Sequence, residues 1–323
     1  MFRYVRGMRA IEFTEYGPPD VLRVAETPEP HAGPGQIRIA AKASGLSPGE
    51  TALRGGRFRE FVPVTFPYRT GFDAAGVVDE LGEGVDGVSL GDEVFGLVTM
   101  TDRAANADFV VLAAWAPKPA VWSWEEAGGA AGNVETSTRV LDLLNVRAGH
   151  TVLIQGAAGG VGTVAVQLAA ARGARVIGTA SEGNHEFLRS LGAEPTTYGP
   201  GLGDRVRALA PNGVDAVFDC AGGALPELIA IAGDPARVVT IADFTAAQHG
   251  VHMSHSAPAD ETGAAVGAGA DPLAVHGLAT AVGLADEGRL RIPVAATFPL
   301  AEVAAAHELS ESRHARGKIV LVN

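Results

Sequence analysis

Cysteine is almost absent from this chain, with Cys220 alone among 323 residues. A single thiol excludes an internal disulfide, a four-cysteine zinc lobe and any cysteine-rich metal site, and it suits a reducing compartment, so a cytoplasmic location is expected. Lysine is nearly as scarce: Lys42, Lys118 and Lys318 are the only ones among 25 basic residues, set against 37 acidic residues for a net charge of −12. Such a surface repels phosphate backbones and anionic lipid, and its arginines are scattered, so neither nucleic acid nor a membrane is expected as a partner. Long apolar runs are missing too. The nearest to a membrane span of ~20 residues is the stretch 151–171, which holds Gln155 and Gln167 and turns from strand pattern to helix pattern midway. The opening MFRYVRG and MRAIEF contain no apolar run of the kind that a secretory signal needs.

Apolar residues make 47% of the chain and charged ones 19%, which excludes disorder and predicts a large buried core. The length is about twice that of a typical domain of ~150 residues, so two domains are expected. From Met8 to Trp115 the chain reads as short strands broken by Gly, Pro and Asp, the pattern of an irregular β-rich domain. After Val134, strands alternate with helix-patterned stretches, as in a doubly wound parallel sheet. Strands are expected at 151–155, 174–179, 216–219 and 237–241. Helices are expected at 161–171, 184–191, 203–210, 225–231 and 272–287, and the stretch 244–270 reads as a loop. The fold class is therefore α/β.

The run VLIQGAAGGVGTVAVQLAAARG sets Gly156, Gly159 and Gly162 between a buried strand and an apolar helix. Glycines permit a sharp strand-to-helix turn and let backbone approach a pyrophosphate, whose charge is stabilised by the free N–H groups of the helix start. In a βαβ context this motif points to a dinucleotide. An NAD site usually carries an acid at the end of the second strand, ~20 residues on. Here that region reads VIGTASEGNHEF, with Glu182 only after Ser181, where it suits a helix's first turn. Without the acid a 2′-phosphate is admissible, with Ser181, Asn184, His185 and Tyr198 as hydrogen-bonding groups, although no Lys or Arg stands in the turn. NADPH is the expected cofactor.

Together with MRAIEFTEYGPPDVLRVAETP, GFDAAGVVDELGEGVDGVSLGDEVFG, GTAS…LGAE and the closing RGKIVLVN, this turn resembles the medium-chain dehydrogenase/reductase superfamily, in its zinc-free quinone oxidoreductase branch. The resemblance covers nearly the whole chain. It implies a GroES-like substrate domain made of residues 1–122 and a C-terminal return at 291–323, a Rossmann NAD(P)-binding domain at 123–290, a cleft at their junction, and a homodimer. It further implies that Thr136 stands near the nicotinamide and that Gly159, Gly160 and Val161 form the pyrophosphate turn. Ser181, Asn184 and Tyr198 fall at the adenosine end, and Ala221, Ile241, Ala242 and Phe244 at strand ends facing the cofactor.

The substrate loop ASGLSPGETALRGG departs from the family, with Ser47, Glu50 and Ala52 where Asn-x-x-Asp and a Tyr are usual. Ser47 is either a hydrogen-bond donor to the substrate or ribose, or a cap for the following turn. Arg54 and Arg69 are candidates for orienting an anionic group, and Phe58 for lining the site. Asp73 reads as structural and Cys220 as an inert small hydrophobe. His249, His252 and His255 are spaced three apart, but in extended chain such residues point to opposite faces, so they are expected as loop or interface histidines and no metal is assigned. A metal-free site suits a small electrophilic acceptor, a quinone or an α,β-unsaturated carbonyl, whose reduction yields a delocalised anion that water can protonate. Two other readings stay open. One is an enoyl-thioester reductase, with Arg54, Arg57, Arg59 and Arg69 receiving a phosphopantetheine, and the other is a non-catalytic NADPH-binding protein.

Overall fold

In chain order the first strands are β1 (Gly7–Phe13), β2 (Arg23–Pro28) and β3 (Ile37–Leu46), followed by helix α1 (Pro48–Arg54). Strands β4 (Tyr68–Arg69), β5 (Asp73–Leu81), β6 (Glu93–Leu97), β7 (Phe109–Leu112) and β8 (Ala114–Pro117) precede helices α2 (Trp124–Gly128) and α3 (Ala131–Leu143). This computed structural model describes residues 7–60, 63–99, 104–256 and 270–323. The alternating part is β9 (Thr151–Gln155), α4 (Gly160–Ala171), β10 (Arg175–Thr179), α5 (His185–Ser190), β11 (Ala193–Thr196), α6 (Leu202–Leu209), β12 (Ala216–Asp219), α7 (Leu225–Ala232), β13 (Val238–Thr240) and β14 (His252–Met253). Helix α8 (His276–Asp286), β15 (Val294–Pro299), α9 (Val303–Ser312) and β16 (Lys318–Val322) close the chain.

Two compact units result, one drawn from 1–132, 278–286 and 291–323 and the other from 133–277 and 287–290. The first boundary falls at Gly132 rather than residue 122 because α2 packs on the β3 strand. A Cβ on Gly128 would stand 2.7 Å from the Ala43 carbonyl carbon. In the first unit, β15-β16-β3-β5-β6-β8 form a sheet with β7 also on β3, and β2-β1-β4 form a smaller one. The period-two pattern of β3 sends Ile37, Ile39 and Ala41 inward against Val78, Val94, Val110 and Leu112. The C-terminal strand belongs here: Ile319 pairs with Leu46 and Val322 with Ala43.

The second unit is a six-stranded sheet in the order β11-β10-β9-β12-β13-β14, with every pair parallel. Its central strands are covered on both faces and so read as continuous apolar runs; Val152, Leu153, Ile154, Val217 and Phe218 are buried. From β9 the chain moves to β10 on one side and later to β12 on the other, so the glycine-rich turn leaves β9 at the point where the winding reverses, the usual ligand position of such sheets.

Three expectations need correction. The loop around residue 50 contains α1, with Ser47 at its N-cap and Pro48 at its first position. The edge strands β11 and β14 were not expected, since strands of four and two residues carry too little alternation, and Pro195 fits β11 because an edge strand need not donate on both sides. The last long helix starts at His276 rather than 272, because Ala274 donates its N–H to Glu135 Oε1 at 3.1 Å. Residues 257–269 of the stretch expected as loop, and residues 1–6 of the chain's opening, lie outside the described residues.

Candidate cofactor and substrate site

Glycine chemistry builds the turn after β9. Gly156 takes φ +75°, in the left-handed region, and donates its N–H to Thr179 Oγ1 at 3.0 Å, while that hydroxyl donates to Gln155 Oε1 at 2.6 Å. Gly159 is the N-cap of α4 and offers no side chain to its first turn. The N–H groups of Gly160, Val161 and Gly162 therefore find no carbonyl within the helix and face outward as anion donors. At Gly162 a Cβ would lie 2.3 Å from Gly156 O and 2.7 Å from Ala157 Cα. A turn packed this closely at Gly162, with three N–H groups that have no acceptor among the described residues, fits the pyrophosphate of a dinucleotide.

Of the groups expected at the adenosine end, Ser181 and Asn184 come together. Asn184 Nδ2 donates to Ser181 Oγ at 3.1 Å, leaving the Ser181 hydroxyl hydrogen to point elsewhere. Ala180 donates its N–H to Thr196 O at 3.0 Å, two residues before Tyr198. The Tyr198 ring is 58% exposed. His185 Nε2, by contrast, is buried without a partner, so that nitrogen is not presented to a phosphate.

At the ends of β12 and β13, buried carboxylates shape the loops. Asp219 accepts from Ala221 N (3.0 Å), Gly222 N (2.9 Å) and Thr240 Oγ1 (2.7 Å). Thr240 Oγ1 in turn accepts from the N–H groups of Ala242 and Asp243, at 3.1 Å each. Asp243 accepts from Thr245 Oγ1 (2.6 Å), Thr245 N (3.0 Å) and Gly223 N (2.8 Å), and these contacts, the hydroxyl foremost, hold its carboxyl below the usual range against the opposing effect of burial. Ala221, Ile241, Ala242 and Phe244 thus sit on two cross-braced loops, with Phe244 65% exposed. Cys220 lies between them, and burial, with the Asp219 charge adding, raises its thiol well above the ordinary value. It stays protonated and is no nucleophile.

Helix α3 meets the glycine turn where Ser137 Oγ donates to Val161 O at 3.3 Å. One residue before it, the Thr136 hydroxyl donates to Glu135 Oε2 at 3.2 Å and accepts from Arg139 Nη2 at 3.5 Å, which leaves it one lone pair. Glu135 is itself buried and paired with Arg139 at 2.8 Å, and Arg139 reaches Ser254 Oγ.

In the first unit the four proposed catalytic side chains part company. Ser47 Oγ belongs to the N-cap of α1 and Arg54 to its last turn, about 10 Å apart along a seven-residue helix. Arg54 is 1% exposed, donates to Gly17 O at 2.9 Å and forms an ion pair with Glu311 on α9. That guanidinium is committed to holding α1 on α9 and is not free to orient a substrate, which corrects the role expected of it. His307, buried beside it, is pushed down to about 3 by burial first and by the Arg54 charge second, and so remains neutral. Glu311→Ala, which strands a buried cation, is expected to cost about 3–5 kcal/mol, whereas Arg54→Met should cost less because the carboxylate it leaves, on Glu311, is 35% exposed and stays hydrated. Urea unfolding of both variants checks this ordering. Arg69 is exposed on β4 beside Glu12, and Phe58 is half-buried after α1.

Sequence reasoning passed over Glu50 as a site in its own right. Its Oε2 accepts from Ser47 N at 2.8 Å and its Oε1 from Asn106 Nδ2 at 3.2 Å. Asn106 also donates to Thr70 Oγ1 and accepts from Ser44 Oγ, both at 2.8 Å. Asp73 accepts from Gly132 N at 2.9 Å and lies 3.6 Å from Lys318 Nζ, a structural role. The signal was available: S-P-G-E is a capping box, which places a glutamate at N3 and turns it back over the N-cap.

Among the described residues no three His, Cys, Asp or Glu side chains gather so as to hold a metal, and no helix is long and apolar enough to cross a membrane. His252 Nε2 pairs with Asp271 at 2.9 Å and His255 Nδ1 with Met253 O at 3.2 Å.

Residues 33–134 match the alcohol dehydrogenase GroES-like domain and residues 191–321 the zinc-binding dehydrogenase domain. The quinone oxidoreductase of Coxiella burnetii superposes with a TM-score of 0.79 at 30% identity, covering 98% of this chain and 100% of that one. The chain belongs to the medium-chain dehydrogenase/reductase superfamily, among its quinone oxidoreductases. A mycobacterial protein solved in complex with NADPH has a TM-score of 0.76 at 26% identity, over 98% of this chain and 100% of its own. The synaptic vesicle membrane protein VAT-1 homolog of Rattus norvegicus is 34% identical over 222 residues, 67% of this chain and 54% of that protein. The chain thus spans about half the length of these curated VAT-1 relatives.

Proposed function

We propose that this protein is a reductase that transfers hydride from NADPH to a quinone or an α,β-unsaturated carbonyl, without zinc. The observation that supports the reading is the glycine turn after β9, where a Cβ on Gly162 would meet the backbone of Gly156 and the N–H groups of residues 160–162 have no acceptor within their helix, at the point where the sheet's winding reverses. Bound there, the nicotinamide ring supplies a hydride from C4 to an electron-poor carbon. The protein's own residues do the rest. Gly160, Val161 and Gly162 hold the pyrophosphate, and Thr136 Oγ1 offers a lone pair to the carboxamide N–H. Ser181, Asn184 and Tyr198 face the 2′-phosphate, while Ala221, Ile241, Ala242 and Phe244 flank the ring. Ser47 Oγ is the donor assigned to the acceptor's oxygen, Phe58 its apolar neighbour and Arg69 the cation for an anionic substituent.

NADPH is favoured over NADH by the absence of an acid at the end of β10 and by the hydroxyl hydrogen that Ser181 keeps available. Although the matched dehydrogenase family is described as zinc-binding, a zinc-free reaction fits a chain whose one cysteine ends β12. Mixing the purified protein with NADPH and a panel of quinones and enones, and following absorbance at the nicotinamide band, tests the proposal. Turnover with these acceptors and none with simple ketones is expected. Nucleotide binding without turnover on any acceptor would refute it.

A further inference from the structure

The loop after β11 is gathered around one guanidinium. Arg205, in α6, donates from Nη1 to Pro200 O at 2.9 Å and from Nη2 to Thr197 O at 3.0 Å, Gly199 O at 3.1 Å and Tyr198 O at 3.4 Å. All four acceptors are neutral carbonyls. Of the carboxylates near it in sequence, Asp204 pairs with Arg207 at 2.7 Å and Glu194 with Arg175 at 2.6 Å, and Asp215 accepts from Thr151 N at 2.7 Å. Among the described residues Arg205 makes no ion pair, so its charge is bound in place but not neutralised.

Position gives that charge a direction. Thr179 of β10 pairs with Thr196 of β11 in a parallel ladder, and Ala180 N continues it to Thr196 O. The chain that continues into residues 197–198 therefore leaves the sheet next to Ala180, where the ladder ends with a strand spacing of about 4.8 Å. The guanidinium bonded to Thr197 O lies within roughly a Debye length of Ser181. This is the turn in which neither Lys nor Arg occurs, and Tyr198, fixed by the same guanidinium, is presented outward next to it.

We infer that Arg205 is a specificity-determining positioning residue for the 2′-phosphate of NADPH, holding Tyr198 in place and supplying the positive charge that residues 181–184 lack. The inference rests on the NADPH reading above. NADH has a neutral hydroxyl where NADPH has a phosphate, so it gains nothing from an unneutralised cation at this distance. An arginine that served only to staple the loop would affect both nucleotides alike, or only thermal stability.

The test is fluorescence titration of NADPH and NADH against the full chain and its Arg205→Met and Arg205→Lys variants. R205M should weaken NADPH ~10-fold and leave NADH within about twofold, and R205K, which keeps a charge but loses the planar fork, should weaken NADPH ~3-fold. Raising the salt concentration should erode the NADPH preference of the wild type but not that of R205M. Equal losses for both nucleotides, or an unchanged ratio, would overturn the inference; if R205M does not fold, an unchanged ratio in R205K does so. A wild type that binds neither nucleotide would instead bring down the cofactor reading itself, and this inference with it.

Discussion

Gly162→Val should abolish measurable NADPH binding while the first unit remains folded. A Cβ at this position meets Gly156 O at 2.3 Å, and that carbonyl is backbone in the same turn. Relief requires the turn and the start of α4 to separate, moving the amides of residues 160–162 out of their common focus. Misplacement of about 1 Å in an oriented site costs on the order of 100-fold, and overpacking adds roughly 1–3 kcal/mol of instability. Calorimetric titration with NADPH reads the first effect and thermal unfolding the second. Gly283→Ala is the control: it lies in α8, outside the glycine turn, and a Cβ there meets nothing within 4 Å, so binding should stay at the wild-type value. If G162V binds NADPH as the wild type does, the nucleotide is held elsewhere.

The second large effect concerns pH and Glu50. Burial is the main cause that pushes its carboxyl up to about 7, with Asp73 adding, and this outweighs the opposing pull of Ser47 N, Lys318 and Asn106. In the unfolded chain the same group titrates near its ordinary value of about 4.3. Between those two values the folded protein keeps a proton that the unfolded chain has released, so stability declines as pH rises across this window. Below about 4 the penalty is absent, and above about 7 it is complete. A shift of this size corresponds to about 3 kcal/mol. Urea unfolding at pH 5 and pH 8 should show this loss in the wild type and little of it in Glu50→Gln, which cannot ionise. Equal pH slopes in the two proteins would show that Glu50 is not the titrating group.

Where the chain's signals are local, the sequence was legible. Strands β9 and β12 were expected at their observed limits because strands buried on both faces are uninterrupted apolar runs. The glycine turn was recognisable because it joined such a strand to an apolar helix. Strand β14 was not, since two residues carry no period, and the helix beginning after Ser47 was hidden by reading Pro48 and Gly49 as a turn rather than as the first positions of a capped helix. Long-range partners were out of reach for a different reason. Arg54 looks like any exposed arginine until Glu311, 257 residues later, is folded onto it. Arg205 likewise stands in an ordinary amphipathic helix, and only the backbone path of residues 197–200 turns four carbonyls toward it.

Direct hydride delivery from a nicotinamide bound at the glycine turn is the central step of the proposed reaction. NADPH carrying deuterium at both C4 positions, incubated with the protein and an α,β-unsaturated ketone, tests it by mass spectrometry of the product. One deuterium on the β-carbon of the saturated ketone, lost together with NADPH binding in G162V, is the expected result. A product with no deuterium, or the same labelling from G162V as from the wild type, would contradict it.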